Sequence, residues 1–265
     1  MSLSWRDRHV AVLGATQVAL FRRRGEQCER LASRDFDAST AALPAAIEAL
    51  EQVLAGQALR GRLDVLLSNQ FTRFCLVPWS WDIGSPGEQE RYARHFLEEI
   101  YGQSAEGWSV RLSPEATGRL RLAAAIPEDL LERLQALALL AGCRLMSVQP
   151  YLMAAFNRFR TRLNRSDFLF VVAEPGRCSL LLARQGDWVR VRSVSLGDSD
   201  AALATLLGRE VELLEAKDAA PATLYLHAPG RPDLAAAAFT GAAPQLLVVE
   251  AAADDALHAM AMVGA

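Results

Sequence analysis

Short apolar runs separated by glycine or charged breaks open the chain. His9–Leu13 is apolar and stops at Gly14, Gln17–Phe21 resumes the run, and Cys28–Phe36 follows the break Arg22-Arg23-Arg24-Gly25. Brief runs bounded by turn residues read as strands, so the start predicts a β-meander with turns at 14–16 and 22–25. A helical period then takes over. Leu43, Ile47, Leu50 and Leu54 predict a helix over 40–54. Leu63–Leu67 and Thr72–Val77 read as strands, the second stopped by Pro78. Ser85-Pro86-Gly87-Glu88 joins an N-cap serine, a proline in the first turn and a glutamate able to reach back to the cap. That capping box predicts a helix start, with Tyr92, Phe96 and Ile100 as its buried face and Gly102 as its end.

Trp108–Leu112 and Arg119–Ala125 predict a hairpin. Pro127, with Glu128 and Asp129 at the positive end of a helix, opens the next element, whose apolar face is Leu130, Leu131, Leu134, Leu137 and Ala138. Cys143–Val148 returns as a strand, and 150–163 predicts a helix with Leu152, Phe156, Phe159 and Leu163 inward. Arg158, Arg160 and Arg162, followed by Arg165, line its other side. At Asp167 the opening pattern restarts. Phe168–Ala173, Arg177–Ala183 and Trp188–Val194 predict strands joined at Glu174-Pro175-Gly176 and Gln185-Gly186-Asp187. A helix over 199–208, a strand Leu224–His227 ending in Ala228-Pro229-Gly230, a strand Leu246–Val249 and a helix over 253–262 complete the chain. A meander followed by α/β units thus occurs twice. The reading is an α/β fold of two related subdomains, 1–166 with an inserted α/β element and a smaller 167–265.

Composition narrows the chemistry. With 51% apolar residues in 265, a core needs neither disulfide nor metal. Net charge is −3, without the basic excess of a nucleic-acid binder. Lys217, the sole lysine, stands in Glu-Ala-Lys-Asp-Ala, so no Walker A loop exists, and any kinase or Schiff-base lysine would have to be this residue. It reads as a solvated surface residue. The chain contains neither a G-x-S-x-G elbow nor an H-E-x-x-H pair. Single, scattered His9, His95, His227 and His258 read as surface or partly buried residues, and the widely spaced Cys28, Cys75, Cys143 and Cys178 as buried free thiols. The polar start does not read as a leader, Asn164-Arg165-Ser166 has no meaning as a glycosylation acceptor inside a cell, and no apolar run approaches the ~18–20 residues that span a bilayer. The expectation is a soluble, cytoplasmic chain.

Two glycine turns hold matching places in the two meanders: Gly14-Ala15-Thr16 and Glu174-Pro175-Gly176-Arg177. Backbone N–H groups in such hairpins can cradle a phosphate; read blandly, each is only a turn. Further segments complete a resemblance: Leu67-Ser68-Asn69 running into Arg73, Pro78 and Trp79; Tyr101-Gly102 leading to Trp108; Val148-Gln149-Pro150 leading to Asn157; and the Glu174–Arg177 turn with Gly186 beyond. With these the chain resembles the actin-like ATPase superfamily, and within it the PilM proteins of type IV pilus assembly and the cytoplasmic domain of the type II secretion L protein.

The resemblance implies a ribonuclease H-like core and a scaffold at the cytoplasmic face of the inner membrane. Such a scaffold binds the cytoplasmic segment of a single-pass membrane protein, couples to an assembly ATPase, and in some members binds ATP. It also assigns a nucleotide site to Gly14, Ala15, Thr16, Glu174, Gly176, Arg177 and Gly230. Nucleotide-competent members carry an aspartate two residues before the first-hairpin glycine; Val12 stands there, and a valine offers no oxygen to Mg²⁺. Glu174 replaces the second aspartate, and Ala228-Pro229-Gly230 replaces a glycine pair on the adenosine side. The site therefore reads as vestigial, with no catalytic or metal residue and no cofactor expected. The alternative is an actin-fold ATPase or nucleotide-switched adaptor with a degenerate Mg-ATP site. Trp79, Trp81, Arg158 and Arg162 are candidates for a partner surface, against the plainer readings of a loop packed on the core and a solvated helix face.

Overall fold

A computed structural model of the chain describes residues 8–163, 166–215, 222–231, 234, 239, 243–249 and 255–264. Asn164, Arg165, Lys217 and the first residues expected in the closing helix lie outside them. In chain order the first elements are β1 (Arg8–Leu13), β2 (Gln17–Arg24), β3 (Gln27–Asp35), α1 (Ala42–Ala55), β4 (Gly61–Leu67) and β5 (Arg73–Val77). Then come α2 (Pro86–Tyr101), β6 (Trp108–Leu112), β7 (Arg121–Pro127), α3 (Glu128–Leu140), β8 (Cys143–Pro150) and α4 (Tyr151–Phe159). The rest are β9 (Phe168–Glu174), β10 (Arg177–Arg184), β11 (Asp187–Ser195), α5 (Asp200–Glu215), β12 (Thr223–His227), β13 (Gln245–Leu246) and α6 (Ala256–Val263).

These elements group into two units that interleave along the chain: Met1–Thr72, Ile126–Arg158 and Val249–Ala265 in one, Arg73–Ala125 and Phe159–Val248 in the other. A division at 166/167 follows the chain; the units follow packing. The segment Arg73–Ala125, which lies within 1–166, groups with the second unit, where β5 packs beside β11. The closing residues group with the first, where α6 packs on β1, β2 and β3.

In the first unit the strand order is β3-β2-β1-β4-β8. β2 is antiparallel to both neighbours, while β1, β4 and β8 run parallel. Alternation along the strands divides two apolar faces. Ala11, Leu13, Val18, Leu20, Leu63, Val65 and Leu67 pack against the buried faces of α1 and α3. Val10, Val12 and Phe21, all fully buried, point the other way, and there Phe21 stacks on His258 of α6 with ring centroids 5.4 Å apart. The expected turn at 22–25 is corrected. β2 continues through Arg24, because Arg22 lies opposite Glu29 of β3 and pairs with it at 2.6 Å, and the chain turns at Gly25-Glu26 instead.

The second unit repeats the order as β11-β10-β9-β12-β13, with β9 antiparallel to β10 and parallel to β12. Leu203 and Leu207 of α5 pack on Leu169, Val171, Leu180 and Leu226 of this sheet. The helix runs past its expected end at Gly208 to Glu215. One reason is Glu210, which is fully buried and held by Arg190 and Arg192 of β11, the latter at 2.6 Å. A three-stranded sheet, β5-β7-β6, carries α2. Ser85 and Glu88 form the predicted capping box, and Gly102 ends the helix. Ile100 is a correction: it is 57% exposed. The buried residues of α2 are Ala93 and Leu97, and at its end the Tyr101 hydroxyl accepts from Phe74 N–H at 3.1 Å and donates to Phe74 C=O at 3.0 Å.

Candidate functional site

The three glycine turns are built differently. In the first unit, β1 and β2 are joined through Gly14-Ala15-Thr16, and Gly14 N–H donates to Gln17 C=O at 2.9 Å. Gly14 is required by close approach: a Cβ there would lie 2.6 Å from Leu257 Cδ2 of α6 and 2.9 Å from the Gln17 carbonyl oxygen. Ala15 is half-buried and Thr16 exposed. The segment after β4 braces this turn. Ser68 N–H donates to Leu13 C=O at 2.8 Å, and Gln70 Nε2 donates to the carbonyls of Gly14 (3.4 Å) and Ala15 (2.9 Å). Asn69 Oδ1 accepts from Leu152 N–H at 2.9 Å in the first turn of α4. Leu67-Ser68-Asn69 thus ties the first hairpin to α4 within one unit. Val12 is wholly buried among apolar strand neighbours, paired with Ala19 and Leu66.

In the second unit, β9 and β10 turn at Pro175-Gly176, with Glu174 opposite Arg177. Glu174 is buried at 3% exposure. Pro175 has no N–H to offer. Gly176 N–H is held by the protein itself: it donates to Asp198 Oδ1 at 2.7 Å. Arg177 is half-buried, and burial together with the neighbouring Arg73 guanidinium lowers its pKa from the usual arginine value. The third turn follows β12. Arg231 N–H closes it onto Ala228 C=O at 3.2 Å across Pro229-Gly230. The Arg231 guanidinium then donates to the Asp198 carbonyl at 2.6 Å, and lies 3.7 Å from the Asp198 carboxylate and 3.5 Å from that of Asp200. Gly176 and Gly230 are therefore brought together through one residue, Asp198.

Asp198, Arg231 and Gln70 were not singled out in the sequence. Asp198 stands just before the helix expected over 199–208, and its contact with Gly176 spans 22 residues. The chemistry of this arrangement is that of a filled anion site. A backbone amide suited to a phosphate oxygen already has the Asp198 carboxylate, and Arg231 lies beside that same carboxylate and the one of Asp200. Val12 supplies no metal ligand, and Pro175 removes an amide. The residues of the two hairpins, each taken within its own unit, do not fit a magnesium-bound nucleotide.

β12 also carries His227, which is 2% exposed. The Leu247 carbonyl can only accept, so Nδ1 carries the proton and donates to it at 2.7 Å. The ring lies 4.9 Å from that of Phe159. Burial outweighs this hydrogen bond and pushes the imidazole pKa down to about 4. His9 is buried as well, so two of the four histidines depart from the surface reading. Of the thiols, Cys75, Cys143 and Cys178 are buried as expected, while Cys28 is half-exposed. Burial raises the thiol pKa of Cys75 and of Cys178 to about 12.

The candidate partner residues separate. Trp79 is half-buried, with the Arg121 guanidinium 4.7 Å from its ring centre and Trp81 edge-on at 6.0 Å. Trp81 is 82% exposed. Arg158 and Arg162 are exposed, but they do not share a helix face. α4 ends at Phe159, and the Arg162 guanidinium turns back over the Phe159 ring at 5.7 Å. Among the described residues, no helix is long and apolar enough to cross a membrane.

No protein-family model matches the sequence, and no curated protein matches it. Solved structures match the fold. One is a protein from Bacteroides thetaiotaomicron with an actin-like ATPase fold and unknown function (TM-score 0.57, 10% identity, 87% of this chain and 84% of that one). Another is the PilM-PilN type IV pilus biogenesis complex (TM-score 0.57, 16% identity, 85% and 81%). A third is the cytoplasmic domain of EpsL, an inner membrane component of the type II secretion system of Vibrio cholerae (TM-score 0.53, 15% identity, 92% and 86%). The fold is that of the actin-like ATPases, with its meander-first sheet present twice.

Proposed function

We propose that this chain is a scaffold of a pilus- or secretion-type envelope assembly machine, which binds the cytoplasmic segment of a single-pass inner-membrane protein and does not turn over ATP. The observation that carries the second half is the carboxylate of Asp198 on the Gly176 amide, 2.7 Å away, in a hairpin that already lacks the Pro175 N–H. A phosphate would have to displace that carboxylate, and with Val12 in the first hairpin no side chain there compensates its charge through a metal. The likeness of fold to a PilM-PilN complex and to an EpsL cytoplasmic domain supports the first half.

In this reading the protein sits peripherally at the inner membrane through its partner, and an assembly ATPase is its second contact. A nucleotide-switched adaptor is the competing reading; the buried Glu174 carboxylate beside the second hairpin favours it. Two measurements separate them. Calorimetric titration with Mg-ATP, at concentrations able to detect a Kd of roughly 100 μM, gives no saturable heat if the scaffold reading holds. Affinity capture from detergent-solubilised inner membranes then enriches one single-pass protein. Magnesium-dependent phosphate release that disappears in Glu174→Ala would overturn the scaffold reading, and so would capture that returns no membrane protein.

A further inference from the structure

Four arginines form a row across one face of the first unit's sheet. Arg23 of β2 pairs in register with Arg8 of β1, Arg8 with Arg62 of β4, and Arg62 with Arg144 of β8. Residues in register on neighbouring strands share a face and lie ~5 Å apart along the sheet. Two of the four are accounted for. Arg8 Nε donates to the buried Asp64 carboxylate at 2.6 Å, which also accepts from Ser147 Oγ, and Arg23 donates to the Gly264 carbonyl. Arg62 and Arg144 are exposed and adjacent, and among the described residues neither has a carboxylate partner. Like charges side by side on neighbouring strands repel, so folding alone does not explain this pair.

A groove of about 580 Å³ opens beside these two arginines, and Arg60 also lines it. Its apolar wall is Leu59, Leu139 and Met146; Leu139 is 77% exposed and Met146 45%. The wall is firmly built. Gly142, between α3 and β8, has φ of 80°, and a Cβ there would lie 2.9 Å from the Leu59 carbonyl oxygen. Met146 stands where the β4–β8 register shifts by one residue, and so joins Arg144 on the exposed side. β8 is the edge strand of the sheet. No carboxylate lines the groove.

We infer that this groove is a docking site for an extended acidic peptide segment, in which carboxylates bridge Arg62 and Arg144 and an apolar side chain rests on Leu139 and Met146. Charge complementarity selects the acidic residues, the exposed leucine and methionine select an apolar neighbour, and the concave shape beside an open strand edge suits a peptide chain better than a flat lipid surface. The inference does not rest on the pilus or secretion reading, since the partner is defined by its chemistry alone.

The test is fluorescence anisotropy of a short fluorescein-labelled peptide of alternating glutamate and leucine, titrated with the full chain. Saturable binding is expected, weakening as salt rises from about 0.05 to about 0.3 M. Arg62→Glu and Arg144→Glu are each expected to weaken it about fivefold or more. Met146→Ser also weakens it, and Arg209→Glu on α5, exposed in the other unit, leaves it unchanged. Circular dichroism of each variant establishes that the fold persists. No saturable binding up to about 1 mM overturns the inference, as does equal binding by the two charge-reversal variants. Co-sedimentation with phosphatidylglycerol vesicles, lost in Arg62→Glu while the peptide fails to bind, overturns it in favour of a lipid surface.

Discussion

Acidification should destabilise this protein through one histidine. His227 has an ordinary pKa of 6.5 when unfolded and about 4 when folded. Between those values the unfolded chain binds a proton that the folded chain refuses, so stability is full above pH 6.5 and falls as the pH drops. The loss from this group reaches about 2 kcal/mol at pH 5 and about 3 kcal/mol at pH 4. His227→Phe removes the linkage, at the expense of leaving the Leu247 carbonyl without its donor, a loss of about 1 kcal/mol at neutral pH. The two stability curves should therefore cross. Wild type is the more stable at about pH 7, and the variant leads by about 1 kcal/mol at about pH 5. Urea unfolding followed by tryptophan fluorescence at both pH values measures the difference, and the comparison cancels the carboxylates and the other histidines. Parallel curves with no crossing would refute the assignment of a buried neutral imidazole.

Three further outcomes follow from local geometry. Gly14→Ala forces Leu257 or the Gln17 carbonyl to move, since both lie under 3 Å from the new Cβ, and should cost about 1–3 kcal/mol in thermal unfolding; an unchanged Tm contradicts the close approach. Ser85→Ala removes the side-chain half of the capping box on α2 and should cost about 1 kcal/mol by the same measurement, with Ser85→Asp largely restoring it. Asp198→Ala frees the Gly176 amide, whose hydrogen exchange should accelerate about tenfold or more in NMR, while amides of the β9 core keep their protection.

Local rules reached most of the elements. The apolar runs of β1 and β9, the capping box of α2 and Gly102 at its end depend on neighbours in sequence, and all stand where the pattern put them. Features set by distant partners were illegible. Arg22-Arg23-Arg24 looks like a break, yet Glu29 across the ladder keeps Arg22 in the strand. Gly208 looks like a helix stop, yet Glu210 beyond it is held by two arginines of β11. The same applies to the candidate site. The glycines of both hairpins were readable as turns, whereas Gln70 bracing Ala15 across 55 residues and Asp198 filling Gly176 arise only when the chain folds back. Grouping of Arg73–Ala125 with the second unit is of this kind too, decided by the neighbour that β5 finds in β11.

The position of α6 has a consequence for how the protein is made. The face of the first sheet that bears Phe21 packs against α6, which is encoded after the described elements of the second unit. At translation rates of ~5–20 residues per second, α6 leaves the ribosome some ten to fifty seconds after β1. Throughout that interval the face bearing Val10, Val12 and Phe21 lacks this helix on the nascent chain, while the second unit is being synthesised. The first unit thus closes only after the second has been made, and a ribosome stalled before Ala256 leaves a chain with a sticky sheet that chaperones and proteases can recognise.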